Sequence, residues 1–273
     1  MLVKLVTSRL RATRPRRLAW LALAASLGLL AGGCESFDSP QNTFSTSGDV
    51  AEDQRYLFFF VMWPALVVMV LVGAAMLYIL FRFRRRSEQE PAPKQVHGNT
   101  KLELAWTIAP AFLLIAIAVP TLDGIIDLGR APHDDALRVN VIGQQWLWSF
   151  EYPELVDASG QPLRIDGRPG ETTELHIPID REIGVTMESN DVIHSFWVPK
   201  LAGKEDVVPG HINEMWFNAT EPGTFAGQCV EFCGLDHAIM TLRVVAQTPE
   251  EFEAWVNEQL AAAAAEAPVT GTR

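Results

Sequence analysis

The sequence predicts an α+β membrane protein, an N-terminal transmembrane helical hairpin followed by an all-β sandwich of Greek-key type. Two long apolar runs, at about residues 56–81 and 104–122, bracket an arginine-rich stretch. Beyond residue 137 the pattern changes to short alternating segments cut by Gly, Pro and Asp. The 273 residues have room for one ordinary domain and a few spans, and not for a complete multi-helix membrane enzyme.

The chain opens on a shorter apolar block at residues 18–30, preceded by Arg9, Arg11, Arg14, Arg16 and Arg17. Positive charge before a short apolar core reads as a signal peptide over residues 1–34, because the core is too short to span a bilayer. It runs into Ala31, Gly32, Gly33 and Cys34, small residues before a cysteine. That places a lipoprotein-type cleavage there, with Cys34 as the lipid acceptor; a signal segment without lipid is the alternative. Residues 35–55, rich in Ser, Thr, Asp and Asn, read as a flexible exterior linker.

The hairpin occupies residues 56–122. At about 1.5 Å per residue, each run reaches or approaches the roughly 30 Å hydrocarbon core. Arg82, Arg84, Arg85, Arg86, Lys94 and Lys101 fall between the runs, at about residues 82–101, whereas Asp49, Glu52 and Asp53 precede the first. The positive-inside rule puts the connecting loop in the cytoplasm and everything after the hairpin outside. The expected location is a bacterial inner membrane with the C-terminal domain periplasmic. Pro64 and Pro110 kink helices that neighbouring helices can accommodate. Glu103 stands at the inner edge of the second run, where a carboxylate either marks the water boundary or serves a function.

Residues 123–248 form the exterior domain. Segments 138–142, 174–177 and 182–187 have strand composition, and turn signals such as Asp157–Gly160, Asp166–Gly167 and Pro169–Gly170 separate them. Aromatics recur at alternate positions from Trp146 through Trp148, Phe150 and Tyr152, as core packing along a strand requires. Residues 249–265 read as a terminal helix, and the remainder to residue 273 as a tail.

Charge narrows the partners. The net charge is −11, and from residue 123 onward 25 acidic residues face 9 basic ones. Such a surface repels nucleic acid and steers a basic protein toward it.

The densest chemistry lies at Cys229-Val230-Glu231-Phe232-Cys233 and on to His237 and Met240, with two thiols, an imidazole and a thioether in twelve residues. Soft sulfur with imidazole suits copper. A mononuclear blue-copper site needs one thiolate, so two cysteines four apart point to two coppers bridged by both sulfurs, with His194 as a second imidazole. A disulfide and a zinc site are the competing readings, the first because exterior cysteines pair, the second less apt because structural zinc seldom recruits Met. His97, His133, His176 and His211 read as surface or satisfied core residues. No Cys-x-x-Cys-His occurs, so no c-type haem is attached to this chain. A cupredoxin-like sandwich, holding His194 on one loop and the cysteines on another, is the natural scaffold for such a centre.

The stretches Val192-Ile193-His194-Ser195-Phe196-Trp197-Val198-Pro199, Asp206-Val207-Val208-Pro209-Gly210, and Gly227-Gln228-Cys229 through Met240 resemble subunit II of the haem-copper cytochrome c oxidases. The resemblance covers about residues 50–260. It implies a dinuclear Cu-A centre on His194, Cys229, the Glu231 backbone carbonyl, Cys233, His237 and Met240. One copper would take His194 and Met240, the other His237 and the Glu231 carbonyl, with the Glu231 side chain toward a magnesium shared with subunit I. It also implies that Glu103, near Trp106 and Pro110, stands at the cytoplasmic mouth of the K pathway for protons. Trp146 would receive electrons from cytochrome c. Many relatives carry His where this chain has Gln144. The partners implied are subunit I, where oxygen becomes water coupled to proton translocation, and subunit III. A quinol oxidase subunit would lack the copper ligands, and a nitrous-oxide reductase would be longer and soluble. A membrane-anchored copper-assembly protein without turnover is the remaining alternative, separated by whether a haem-bearing subunit accompanies the chain.

Overall fold

In a computed structural model of the chain, the residues described are 39–85, 87, 95 and 97–266. The expected signal peptide and Cys34 lie outside them. Helix α1 runs Asp49–Arg82 and helix α2 Thr100–Leu128. Their most apolar stretches have mean hydropathies of 2.5 and 2.1 and are not buried within the chain. Both helices are therefore long and apolar enough to cross a membrane, and their faces need lipid or another protein to cover them.

Both helices outrun their apolar cores, for local reasons. At α2, Asn99 caps the helix by accepting from the Leu102 N–H at 3.3 Å, and Glu103 accepts from the Asn99 N–H at 3.0 Å. These reciprocal bonds satisfy donors that a helix start otherwise leaves open. At α1 the start is set by docking. The expectation of a flexible linker over residues 35–55 fails for its C-terminal part, because Ser47, Val50 and Ala51 are buried against the C-terminal domain. Ser47 donates its N–H to the Lys200 carbonyl at 2.8 Å and accepts from the Thr220 N–H at 2.9 Å. The Asp49 N–H donates to Asn218 Oδ1 at 2.9 Å. Composition marked the segment as polar, but its polar groups bond to the domain's backbone and side chains.

Gly48 makes that docking possible. A Cβ there would overlap the Asn218 carbonyl and come within 2.9 Å of the Leu201 carbonyl, both backbone atoms with little room to yield. Gly48→Ala is therefore expected to cost about 1–3 kcal/mol, the usual range for overpacking, in denaturant unfolding of the full chain in detergent. Wild-type stability in that variant would mean the docked segment gives way freely.

The far end of α2 is tied down too. The Arg130 guanidinium lies 3.9 Å from the Trp216 ring centroid and pairs with Glu182 at 2.7 Å, while Trp216 donates from Nε1 to the Asp127 carbonyl at 3.2 Å. Burial opposes the Glu182 charge, but hydrogen bonds from Arg130 and the His133 N–H outweigh it and hold the carboxyl below its ordinary range.

The C-terminal domain contains ten strands: β1 Leu137–Gln144, β2 Leu147–Val156, β3 Pro162–Asp166, β4 Thr173–Pro178, β5 Ile183–Ser189, β6 His194–Trp197, β7 Lys204–Val207, β8 Asn213–Phe217, β9 Gly223–Cys229 and β10 Thr241–Gln247. Helix α3, Pro249–Glu266, closes the described chain. The strands form two five-stranded sheets, ordered β3-β2-β1-β5-β8 and β4-β10-β9-β6-β7. β1 pairs parallel to β5 and β10 parallel to β4, and the remaining pairs are antiparallel. Such out-of-sequence neighbours are how a Greek key closes a sandwich. Alternation along β1 sends Leu137, Val139 and Val141 inward, where they meet Phe196, Phe217 and Val244 in one core. The β2–β3 ladder shifts register between Tyr152 and Val156, next to Pro153, which has no N–H to donate.

The aromatic run divides differently from the strand reading. Trp148, Phe150 and Tyr152 fill the core, but Trp146 is not on a strand. It sits with Gln145 in the two-residue turn between β1 and β2, joined by a cis peptide bond. Period-two alternation does not reveal where a hairpin turns, so the turn was invisible in the pattern.

Candidate metal centre

The sandwich brings the sulfur and imidazole donors to one end. β6 runs antiparallel to β9 with Phe196 opposite Cys229, which sets His194, at the start of β6, beside the end of β9. The chain then loops and returns through a one-turn 3-10 helix at His237–Ile239, and the Cys229 N–H donates to the Met240 carbonyl at 2.9 Å. That bond closes the loop around its own donors.

Six donor groups converge. The Cys229 and Cys233 Sγ atoms are 3.8 Å apart and unbonded. Cys229 Sγ is 3.9 Å from His194 Nδ1 and 3.2 Å from the Glu231 carbonyl oxygen. Cys233 Sγ is 3.5 Å from His237 Nδ1 and 3.8 Å from Met240 Sδ. Half the sulfur separation is shorter than a thiolate–metal bond of about 2.3 Å, so Cys229 and Cys233 would both be able to hold the same metal. The donor set fits soft, copper-like metal better than zinc, because it adds a thioether and a carbonyl to the thiolates and imidazoles. His194, Cys229, Cys233 and Met240 are buried, and His237 is half-buried.

Electrostatics point the same way. Burial opposes ionisation of both thiols. At Cys229 the His194 ring and the Ser195 backbone outweigh it and pull the thiol below its ordinary value. At Cys233 the neighbouring Cys229 charge adds to burial and pushes the thiol up. Two thiolates at this spacing would repel, so both would ionise together only with a cation beside them.

Two groups that the sequence reading passed over organise the centre. Asp191 Oδ1 lies 2.9 Å from His194 Nε2, an arrangement in which Nε2 carries the proton and Nδ1 offers its lone pair to the sulfur side. Burial disfavours the Asp191 charge, but the Gln145 N–H, the His194 ring and the Val192 N–H hold the carboxyl below its usual range. Gln145 is the second: its N–H meets Asp191 Oδ2 at 2.8 Å, and its side-chain amide donates to the Cys233 carbonyl at 2.7 Å. An acid three residues before His194 was the legible clue to Asp191. Gln145 had none.

The other singled-out residues divide by position. Trp146, half-buried, donates from Nε1 to the Cys233 carbonyl at 3.1 Å, so it touches the cluster directly. Glu103 does not approach it. It lies near the start of a 29-residue helix that is about 43 Å long at 1.5 Å per residue, while the domain follows the other end. The Glu231 side chain is half-buried, and Phe232 and Leu235 beside it are strongly exposed.

Comparison with known proteins agrees with this architecture. The family model described as cytochrome C oxidase subunit II, periplasmic domain, matches residues 137–247, and that of the transmembrane domain matches residues 40–123. Cytochrome c oxidase subunit 2 of Alkalihalophilus pseudofirmus is 39% identical over 195 residues, covering 70% of this chain and 54% of that relative; the match thus spans about half of its length. The Synechocystis protein of the same name is 33% identical over 252 residues, covering 76% of this chain and 72% of the relative. The crystal structure of the periplasmic domain of subunit II of cytochrome oxidase of Bradyrhizobium japonicum is 31% identical, with a TM-score of 0.42, over 46% of this chain and 95% of that one. With its two apolar helices, its cupredoxin-like sandwich and its buried His/Cys/Cys cluster, the chain belongs to the cytochrome c oxidase subunit II family.

Proposed function

We propose that this chain accepts electrons from reduced cytochrome c at a dinuclear Cu-A centre and passes them to haem in a partner subunit I, where oxygen is reduced to water. The carrying observation is the convergence of the Cys229, Cys233, His194, His237, Met240 and Glu231-carbonyl donors, neighbouring atoms 3.2–3.9 Å apart. When bound there, the two coppers supply one-electron storage shared between them. The protein's own work is to hold the donors before metal arrives. The strand pairing of β6 with β9 fixes the His194–Cys229 side, and the Cys229–Met240 backbone bond fixes the loop. Such preorganisation keeps the ligands from moving when the charge changes. Copper content and electron paramagnetic resonance of the full-length chain test the reading. Two coppers sharing one unpaired electron are expected; one copper with a blue-copper signal would overturn it.

The rest of the functional reading is carried by family membership and charge. The Glu231 side chain completes a magnesium site at the interface with subunit I. Subunit III completes the assembly. Residues 1–34 direct the chain to a bacterial inner membrane, with Cys34 lipidated. The loop rich in arginine stays cytoplasmic, and residues 123–248, followed by helix α3, face the periplasm. The acidic exterior domain receives a basic cytochrome.

Glu103 is the proton-channel residue in this reading, and its bond to the Asn99 N–H gives it a helix-capping role as well. Gln at that position keeps an acceptor for the N–H and removes the charge. Glu103→Gln is therefore expected to slow turnover of the assembled oxidase while leaving α-helix content and the copper spectrum at wild-type values. Wild-type turnover would mean that the carboxylate only caps the helix.

A further inference from the structure

The β1–β2 turn does more than display Trp146. The Cys233 carbonyl accepts two side-chain hydrogen bonds from adjacent residues, Gln145 Nε2 at 2.7 Å and Trp146 Nε1 at 3.1 Å. Cys233 itself is only 3% exposed, so this carbonyl has little water to turn to. The same Gln145 donates its backbone N–H to Asp191, whose other oxygen meets His194. One residue therefore spans the two halves of the ligand set, the histidine loop and the cysteine loop.

The cysteine loop is shaped to receive it. Gly234 has φ +122°, a conformation L side chains rarely adopt, and a Cβ there would come within 3.0 Å of Trp146 Cζ2 and 3.1 Å of Gln145 Nε2. The absent side chain is the space in which the amide and the indole reach the Cys233 carbonyl.

We propose that Gln145 is a positioning residue that sets the redox properties of the centre through the Cys233 carbonyl and aligns the Trp146 indole on it; the proposal rests on the copper reading above. Two N–H dipoles aimed at one ligand residue withdraw electron density from it and favour the reduced centre. They also fix the hydrogen-bonded link from the half-buried indole to a copper-ligand residue. Because both donors share one acceptor, losing either leaves the other in place, whereas losing both orphans a buried carbonyl. Their effects are thus coupled and not additive.

The test is a double-mutant cycle in the full-length, copper-loaded chain, reading midpoint potential and electron paramagnetic resonance. Gln145→Leu removes the amide, and Trp146→Phe removes the indole N–H while keeping a ring. Each is expected to keep two coppers and lower the midpoint potential, shifting equilibrium with a fixed redox mediator by about two- to tenfold, the span of one ordinary hydrogen bond. The double variant is expected to shift by more than the product of the two. Gly234→Ala, which displaces both donors, is expected to move the potential in the same direction. If Gln145→Leu does not hold copper, Gln145→Asn, one methylene short of the carbonyl, takes its place in the cycle. Unchanged potentials and spectra at full copper loading, or shifts that simply multiply, overturn the role of Gln145. A wild-type chain that takes up no copper overturns the copper reading itself.

Discussion

Replacing Cys229 with Ser is expected to abolish the two-copper spectrum of the full-length chain and to weaken copper binding by more than about 100-fold. Partners one step removed from a metal already cost 10–100-fold when lost, and in the proposed centre Cys229 is itself a ligand. Its sulfur faces His194, the Glu231 carbonyl and Cys233 at 3.2–3.9 Å. A serine hydroxyl at the same point is a hard oxygen donor that does not ionise under these conditions, so it cannot take the place of a bridging thiolate. Met240→Leu is expected to be milder, retaining copper but changing its potential, because a thioether tunes more than it holds. Metal analysis and paramagnetic resonance decide between the outcomes. A Cys229→Ser chain that still bound two coppers with the shared spectrum would remove Cys229 from the centre.

Replacing Trp146 with Gln is expected to slow electron transfer from reduced cytochrome c sharply while leaving copper in place. Trp146 is half-buried at the tip of a turn and bonded to Cys233, whereas the core aromatics Trp148, Phe150 and Tyr152 carry the packing. The domain therefore stays folded without the indole. Donor affinity is expected to change by less than the roughly 2 kcal/mol that marks an interface hot spot, because the proposed role asks the ring for coupling and not for docking energy. Salt is expected to act in the opposite sense. The Debye length falls from about 10 Å at 0.1 M to about 3 Å at 1 M, which screens the acidic surface and weakens encounter but spares transfer within the bound complex. Rapid-mixing kinetics over a salt series separate the two effects. If Trp146→Gln lost copper or unfolded the domain, the indole would be a packing residue and the electron path would lie elsewhere.

Features that depend on neighbours in the chain were legible before folding. Hydropathy over about twenty residues marks a membrane-competent helix, so both spans were legible, although their ends were not. The donor types were legible too, because Cys229 to Met240 lie within one short segment and their softness is a property of the atoms. Tertiary structure decided what depends on contacts between distant residues. His194 is 35 positions from Cys229, and only the pairing of β6 with β9 puts it beside the cysteine sulfurs. Gln145 is 88 positions from the carbonyl it holds, and no periodicity or composition signals such a bond. Trp146 left its expected strand for a turn because alternation records which face a side chain takes, not where the backbone reverses. The start of α1 moved outward because the domain's own carbonyls and amides captured a segment that looked like linker. In each case the deciding energy is a hydrogen bond or a close fit made across the fold, which exists only once the sandwich has assembled.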